Sequence, residues 1–126
     1  MQIFGIHPAD IFLPAPGTDQ KKWAVVACDQ FTSDAAYWQK VEEEVGNAPS
    51  ALRIVYPEIY LSEGEKRIPP IRKAMEEYVE NGVLAPLVKD GFVLVERETE
   101  SGRRIGLVAA VDLEDYDFTP GTNYRV

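Results

Sequence analysis

The chain has 126 residues, which is close to the usual size of one domain and too short for two full domains. Its 21 acidic and 13 basic residues leave a net charge of −8, which argues against a duplex-DNA partner because an excess of cations is needed to displace counterions. One cysteine excludes an internal disulfide, and one histidine without cysteines at ligand spacing excludes a structural zinc site.

The sequence also lacks the features of targeting and membrane segments. The amino terminus has no basic region followed by an apolar run, and the chain nowhere has 18 consecutive apolar residues. We therefore expect neither a signal peptide nor a membrane span. With the absence of disulfides, this pattern predicts a cytoplasmic protein.

The first half of the chain reads as an arm, a strand, a helix and a second strand. Prolines and glycine within residues 1–22 predict an extended arm that ends in a turn. Residues 23–27 are apolar and partly β-branched, which predicts a buried strand. A helix should follow from about Ser33 to Val45, with Thr32 or Ser33 as its N-cap and Gly46 after its end. Residues 52–56 predict a second strand.

The second half reads as a helix and a hairpin. The helix should begin at Pro69 or Pro70, because proline is tolerated only in a first turn, and it should end before Gly82. Residues 92–98 and 104–112 are β-rich runs that flank a short loop with Gly102, which predicts a β-hairpin. The order β-α-β-α-β-β predicts an α/β (α+β) fold in which a mixed sheet packs on two helices, with residues 23–126 as a single domain.

Polar residues stand between the first predicted strand and the first helix, where α/β sheets usually bind ligands. Asp29 could take a proton from a hydroxyl, and Gln30 could orient that hydroxyl. The alternative is that Asp29 or Thr32 only caps the helix. Cys28 could be a nucleophile, but a lone cysteine after an apolar strand is more often a small buried residue.

Two further groups of charged residues are candidates for binding. Arg53 and Arg104 could hold a phosphate or a carboxylate, although arginines on strands are more often solvated or paired. Asp112, at the end of the last predicted strand, is a candidate metal or substrate contact. The acidic run that it opens lacks the glycine and glutamate of a calcium loop, so a solvated acidic turn is the preferred interpretation.

Several segments together resemble a known prokaryotic family. They are A-D-I-F-L-P at residues 9–14, K-W-A-V-V-A-C-D-Q-F-T-S at 22–33, Y-W-Q-K-V-E at 37–42, A-P-S-A-L-R at 48–53, P-E-I-Y-L at 57–61 and G-L-V-A-A-V-D-L-E-D-Y-D at 106–117. They resemble the amino-terminal part of the family called domain of unknown function 1015. Members are typically longer, so the resemblance implies that this chain is an N-terminal fragment.

That family in turn resembles, at fold level, the ParB and sulfiredoxin group, which includes free-serine kinases. In those kinases an acidic residue at a strand-to-helix corner acts as base on the substrate hydroxyl. By position the resemblance places this role on Asp29, with Gln30 beside it. The phosphotransfer hypothesis that follows from this adds Gln30 and Thr32 as positioning groups and Asp112 as a candidate metal contact. It implies magnesium and a nucleotide, ATP or ADP, as cofactors.

The sequence thus leads to two hypotheses from different classes. The first is a phosphotransfer enzyme that acts on a small hydroxyl metabolite such as serine, with Asp29 as general base. The second is a non-catalytic module that binds a metabolite or a protein partner, in which the corner serves only as a helix cap. Both hypotheses are compatible with a homo-oligomer. Both predict a small molecule, rather than nucleic acid, as the ligand.

Overall fold

The structure, a computed structural model, describes residues 5–115 and 117–121. It is a mixed α/β fold of short antiparallel ladders and a few helices. In the described part the strands are β1 (Ile6–His7), β2 (Phe12–Pro14), β3 (Leu84–Pro86), β4 (Val93–Thr99), β5 (Gly102–Val108) and β6 (Ala110–Val111). The α-helices are α1 (Gln20–Trp23), α2 (Ala35–Val45) and α3 (Ile68–Glu80), and the 3-10 helices are Ala51–Arg53, Glu58–Arg67 and Leu113–Asp115.

The chain divides into two compact units. The helical unit comprises Leu13–Ala85, and the hairpin unit comprises Met1–Phe12 with Pro86–Val126. Among the described residues the strands form three two-stranded sheets, in which β1 pairs with β6, β2 with β3 and β4 with β5. Whether residues 23–126 form a single domain after an arm over residues 1–22 stays a prediction.

Both predicted long helices are confirmed. Helix α2 ends at Val45, and Gly46 follows it with φ 54°, a left-handed conformation that glycine adopts without steric cost. Helix α3 begins one residue before Pro69, so its two prolines occupy the first turn, where their missing amides are not needed. A 3-10 segment with a kink at Gly64 leads into α3.

Two predicted strands are wrong, and with them the single mixed sheet. Residues 24–27 have no sheet partner in the described part of the chain. Trp23 instead ends α1, which begins after Asp19 because the carboxylate of Asp19 accepts the amides of Lys21 and Lys22. Residues 52–56 begin with a 3-10 turn, because the hydroxyl of Ser50 accepts the amide of Leu52 at 3.2 Å. Val25 and Val26 of the first segment pack on the core, and Leu52 of the second belongs to it, without either segment joining a β-ladder.

The predicted hairpin is confirmed, with shifted boundaries. Strands β4 and β5 pair antiparallel from Val93 opposite Val108 to Thr99 opposite Gly102, around a two-residue loop. The second run does not continue to Asp112 as one strand. Strand β5 ends at Val108, and the next strand, β6, pairs with β1 instead of β4. The hairpin register decides which side chains face each other across the two strands.

The core of the helical unit is small. Trp38, Val45 and Leu52 are buried, and partly buried side chains pack around them. The apolar side chains of α2, at Tyr37, Trp38, Val41 and Val45, belong to this core or pack against it. The longest described helix has 13 residues, and no described helix could cross a bilayer, which takes about 20.

Candidate functional site

The corner that the sequence singles out is an exposed turn of the helical unit. The amide of Gln30 donates to the carbonyl of Ala27 at 3.0 Å, and the amide of Glu58 donates to the carbonyl of Cys28 at 2.8 Å. The side-chain amide of Gln30 donates to Oδ1 of Asp29 at 3.3 Å. The structure therefore brings together the carboxylate and the amide that the sequence proposes as a pair, and both are exposed to solvent.

The other end of the corner is held by a buried indole. Phe31 has φ 52°, a conformation that is rare for a bulky residue and costs about 1–3 kcal/mol. Its carbonyl accepts Nε1 of Trp38 at 3.2 Å and the amide of Asp34 at 3.1 Å. Its ring stacks on Tyr37 with centroids 4.0 Å apart. These contacts hold the strained residue and thereby fix the path of the chain after Gln30.

Neither predicted cap of α2 is used. Oδ1 of Asp34 accepts the amide of Tyr37 at 2.9 Å, so Asp34 is the N-cap residue, whereas the sequence favoured Thr32 or Ser33. The same contact contradicts the interpretation in which Asp29 or Thr32 satisfies the helix-entry amides. The carboxylate of Asp29 is thus left for other contacts, while Thr32 is exposed beside the helix start.

Cys28 is exposed and free, which contradicts its interpretation as a small buried residue. Its carbonyl, rather than its thiol, has the structural role in the turn, through the bond from Glu58. The segment before this corner, residues 24–27, has no sheet partner in the described part of the chain.

Arg53, the first of the two candidate arginines, has its charge neutralised within the helical unit. Its Nη1 lies 2.6 Å from Oε2 of Glu42, and its Nη2 donates to the carbonyl of Gly46 at 2.7 Å. It lines a groove of about 360 Å³, in which Arg67 is also paired, with Glu63 at 3.0 Å. Arg53 therefore fastens the end of α2, and a ligand would have to displace Glu42 to reach it.

A larger groove of the helical unit, about 640 Å³ in volume, lies along α2. Its floor is apolar, and its rim carries two lysines and two acidic residues. The lining residues are Asp19, Lys21, Lys22, Ala24, Val25, Val26, Tyr37, Val41, Glu44 and Val45. Neither this groove nor the groove at Arg53 is lined by the two residues of the corner pair.

The remaining two candidates lie in the hairpin unit. Arg104 stands on β5 directly opposite Arg97 on β4, and both are exposed. Asp112 follows β6, where its amide donates to the carbonyl of Gly5 at 2.7 Å and its Oδ1 accepts the amide of Glu114 at 3.0 Å. Asp112 is thus a turn residue with one carboxylate oxygen already engaged.

The described residues do not build a metal site. No group of three or more histidine, cysteine or acidic side chains is placed to hold an ion in residues 5–115 and 117–121. Magnesium commonly uses one or two carboxylates with substrate phosphates, and Asp112 would supply a single carboxylate that already bonds to Glu114. The acidic run behaves as turns, since Oδ1 of Asp117 likewise accepts the amide of Thr119 at 2.9 Å.

Sequence reasoning missed three features of these sites. It assigned the valines of the large groove to a strand, because β-branched runs are typical of sheets. It did not foresee that Phe31 and Trp38 hold the corner, since that contact requires the tertiary fold. It also missed the pairing of Arg97 with Arg104, although a two-residue hairpin loop places these residues opposite each other.

Comparison with known proteins gives a family and no activity. No curated protein and no solved structure matches this chain. A family model described as "Protein of unknown function (DUF1015)" matches residues 12–119, which is most of the chain and includes all six candidate residues. The chain belongs to the DUF1015 family.

Proposed function

We propose that this chain is part of a phosphotransfer enzyme that acts on a small hydroxyl metabolite such as serine, with Asp29 as the general base. The observation that carries the proposal is the Asp29–Gln30 pair, 3.3 Å apart on an exposed corner that does not cap α2. The expected similarity to the ParB and sulfiredoxin group, with its serine kinases, supports the same assignment.

The proposed step uses the corner in a simple way. The carboxylate of Asp29 accepts the hydroxyl proton while the hydroxyl oxygen attacks the terminal phosphorus of the donor. The bond between that phosphorus and its bridging oxygen breaks, and the shortened nucleotide, ADP from ATP or AMP from ADP, leaves. The amide of Gln30 holds one carboxylate oxygen, which leaves the other oxygen for the substrate. Backbone bonds from Glu58 and to Ala27 keep the turn in place, so little reorganisation is needed during the reaction.

The donor is proposed to be ATP or ADP with magnesium. Among the described residues no group of three or more histidine, cysteine or acidic side chains is placed to hold the magnesium ion. Within the helical unit, Thr32 keeps its proposed role in binding the substrate, and Arg53 could bind phosphate only by exchanging Glu42 for it. Arg104 and Asp112 belong to the hairpin unit and stay separate binding predictions.

The test is phosphorylation of serine by the protein with ATP, ADP or polyphosphate as donor, followed as phosphoserine by mass spectrometry. Asp29→Asn should lower kcat by about a hundredfold or more, which is the usual size of a general-base contribution. Asp10→Asn is the matched control, because Asp10 is also exposed and the charge change is the same. A loss of less than about threefold in Asp29→Asn would contradict the base role. Absence of turnover with every hydroxy amino acid would contradict the substrate class.

The large groove favours a second candidate function, a non-catalytic module that binds a small molecule. Its apolar floor and the two lysines of its rim suit a ligand with an aliphatic body and a carboxylate. Ala24 is exposed and lines the groove, so Ala24→Trp should occlude it without disturbing the core. Ala36→Trp is the control, since Ala36 is exposed on α2 outside the groove lining.

Thermal unfolding with a panel of aliphatic acids, amino acids and nucleotides separates the two candidates. A ligand that raises Tm for the wild type and Ala36→Trp, but not for Ala24→Trp, without any turnover, supports the binding module. A ligand whose effect survives Ala24→Trp does not bind in this groove. Failure of every ligand to raise Tm would leave a protein-interaction role as the better explanation.

A further inference from the structure

The hairpin places two arginines face to face. Arg97 on β4 and Arg104 on β5 are direct partners in the antiparallel register. Side chains in such pairs have Cβ atoms about 4.5–5.5 Å apart, and like charges at that separation destabilise the sheet. A residue pair that lowers the stability of the fold is expected to serve a function, such as binding a ligand.

Within strands β4 and β5, no counter-charge on the same face relieves this repulsion. Side chains alternate along a strand, so the face with Arg97 and Arg104 also carries Val95 and Thr99, both uncharged. The acidic residues of β4 and their partner Arg103 lie on the opposite face, where Arg103 Nε is 2.7 Å from Glu96 Oε1. Among the described residues, neither guanidinium of the pair takes part in an ion pair.

We propose that Arg97 and Arg104 form a binding site for the phosphate group of a small phosphorylated metabolite. Two guanidinium groups carry a charge of about +2, which matches a phosphate monoester near neutral pH, whereas a carboxylate would neutralise only one of them. Each guanidinium also presents a planar fork of N–H donors that suits phosphate oxygens. The bound anion would convert the repulsive pair into two favourable contacts.

The floor next to the pair leaves room for the rest of the ligand. Gly106 stands opposite Val95, one step along the same face. A Cβ added at Gly106 would meet no atom within 4 Å, so the surface there is open. The two residues form a flat, uncharged strip beside the guanidinium groups, on which the carbon part of a metabolite can lie.

The structure distinguishes this pair from other arginines of the chain. Arg53, Arg67, Arg72 and Arg103 each have a carboxylate partner at between 2.6 and 3.1 Å. Arg97 and Arg104 have none in the described residues, in a protein whose net charge is −8. The proposal concerns binding in the hairpin unit alone and does not depend on catalysis by Asp29.

The experiment is a ¹H–¹⁵N NMR titration of the whole chain with inorganic phosphate, phosphoserine and ADP, at constant ionic strength. Serine and acetate are the ligands without phosphate. We expect shifts confined to the hairpin, including the Nε–Hε signals of Arg97 and Arg104, and a Kd of about 1 mM for phosphate, as expected for two exposed charge-assisted contacts. Comparison of the Kd values for phosphoserine and ADP with that for phosphate shows which carbon part binds to the strip formed by Val95 and Gly106.

Arg97→Gln should raise the Kd for phosphate about tenfold or more, since one of the two forks is lost. Arg103→Gln is the matched control, because it removes the same charge from the opposite face of the same hairpin. In phosphate-free buffer Arg97→Gln should also keep or raise Tm, as the repulsion is removed. Equal loss of affinity in both variants would show nonspecific attraction and overturn the proposal. So would an unchanged Kd in Arg97→Gln, or acetate binding as tightly as phosphate.

Discussion

The helical unit and the hairpin differ in what holds them together. In the helical unit the indole of Trp38 is fully buried, and its N–H donates to the carbonyl of Phe31 seven residues earlier. In the hairpin, Leu94 and Leu107 are partners in the register, yet each remains more than half exposed. One region depends on a buried contact that organises several segments, and the other depends on pairing between neighbours in sequence.

This difference explains where each region could carry function. A corner held by a core can keep a strained residue such as Phe31, because surrounding contacts compensate its cost. A hairpin with both faces exposed keeps a like-charged pair such as Arg97 and Arg104 only at a cost in stability. We therefore propose that the first region positions a reacting group and that the second presents charge to a ligand from solution.

The strongest test of the comparison is truncation of one apolar side chain in each region. Trp38→Ala should lower the free energy of unfolding by about 3–5 kcal/mol, because it leaves a cavity and removes the bond to Phe31. Leu94→Ala, at a side chain that is 68% exposed, should lower it by less than about 0.5 kcal/mol. Urea unfolding followed by circular dichroism measures both. If the two variants lost unfolding free energy to within about 1 kcal/mol of each other, the buried core would not be the main source of stability in the helical unit.

A smaller effect is expected from a hydroxyl that joins two segments of the helical unit. The Tyr78 hydroxyl accepts the amide of Ser50 at 2.9 Å and donates to its carbonyl at 3.1 Å, and Ser50 is fully buried. Tyr78→Phe should cost about 1–3 kcal/mol of unfolding free energy, because a buried amide loses its partner. Tyr37→Phe is the control, since the hydroxyl of Tyr37 has no bond to the described residues. Equal stability of the two variants in urea would contradict the bridging role.

The smallest effect concerns a local turn of the hairpin unit. Hydrogen bonds from the hydroxyl and the amide of Thr119 hold the pKa of Asp117 below the ordinary value of 3.8 for an aspartate. A lowered folded-state pKa stabilises the fold above the unfolded pKa, and this contribution is lost as pH falls through the folded value. Thr119→Val should raise the pKa of Asp117 by removing the hydroxyl bond.

A carboxyl-detected NMR titration measures that pKa, with Thr99→Val as control because Thr99 bonds to Ser101 and Gly102 instead. The stability difference between wild type and Thr119→Val should be present near neutral pH and vanish in strong acid. An unchanged pKa in Thr119→Val would show that the backbone amide alone lowers it. A stability difference that grows on acidification would contradict the assigned sign.

The candidate site could be anticipated only in part. The position of Asp29 and Gln30 at a corner before a helix follows from the polar residues between two apolar segments. The sequence predicts Thr32 or Ser33 as the N-cap of α2, whereas Asp34 is the N-cap in the structure. Threonine, serine and aspartate are all favoured at this position, so preference alone does not select one of three neighbouring residues. The pairing of Arg53 with Glu42, 11 residues earlier, also could not be predicted from local pattern.

The sequence by itself determined the elements whose stability is local. Helices α2 and α3 follow from apolar periodicity and from proline and glycine at their ends, and the hairpin follows from two β-rich runs around a short loop. The tertiary structure decided what residues 24–27 and 52–56 become. Runs of β-branched residues are compatible either with pairing in a sheet or with burial in a core without sheet pairing. Here they pack on the core around Trp38 and Leu52 without a sheet. The same dependence holds for function, since the corner pair is visible in the sequence, but only the fold leaves Arg53 neutralised and Arg104 facing Arg97.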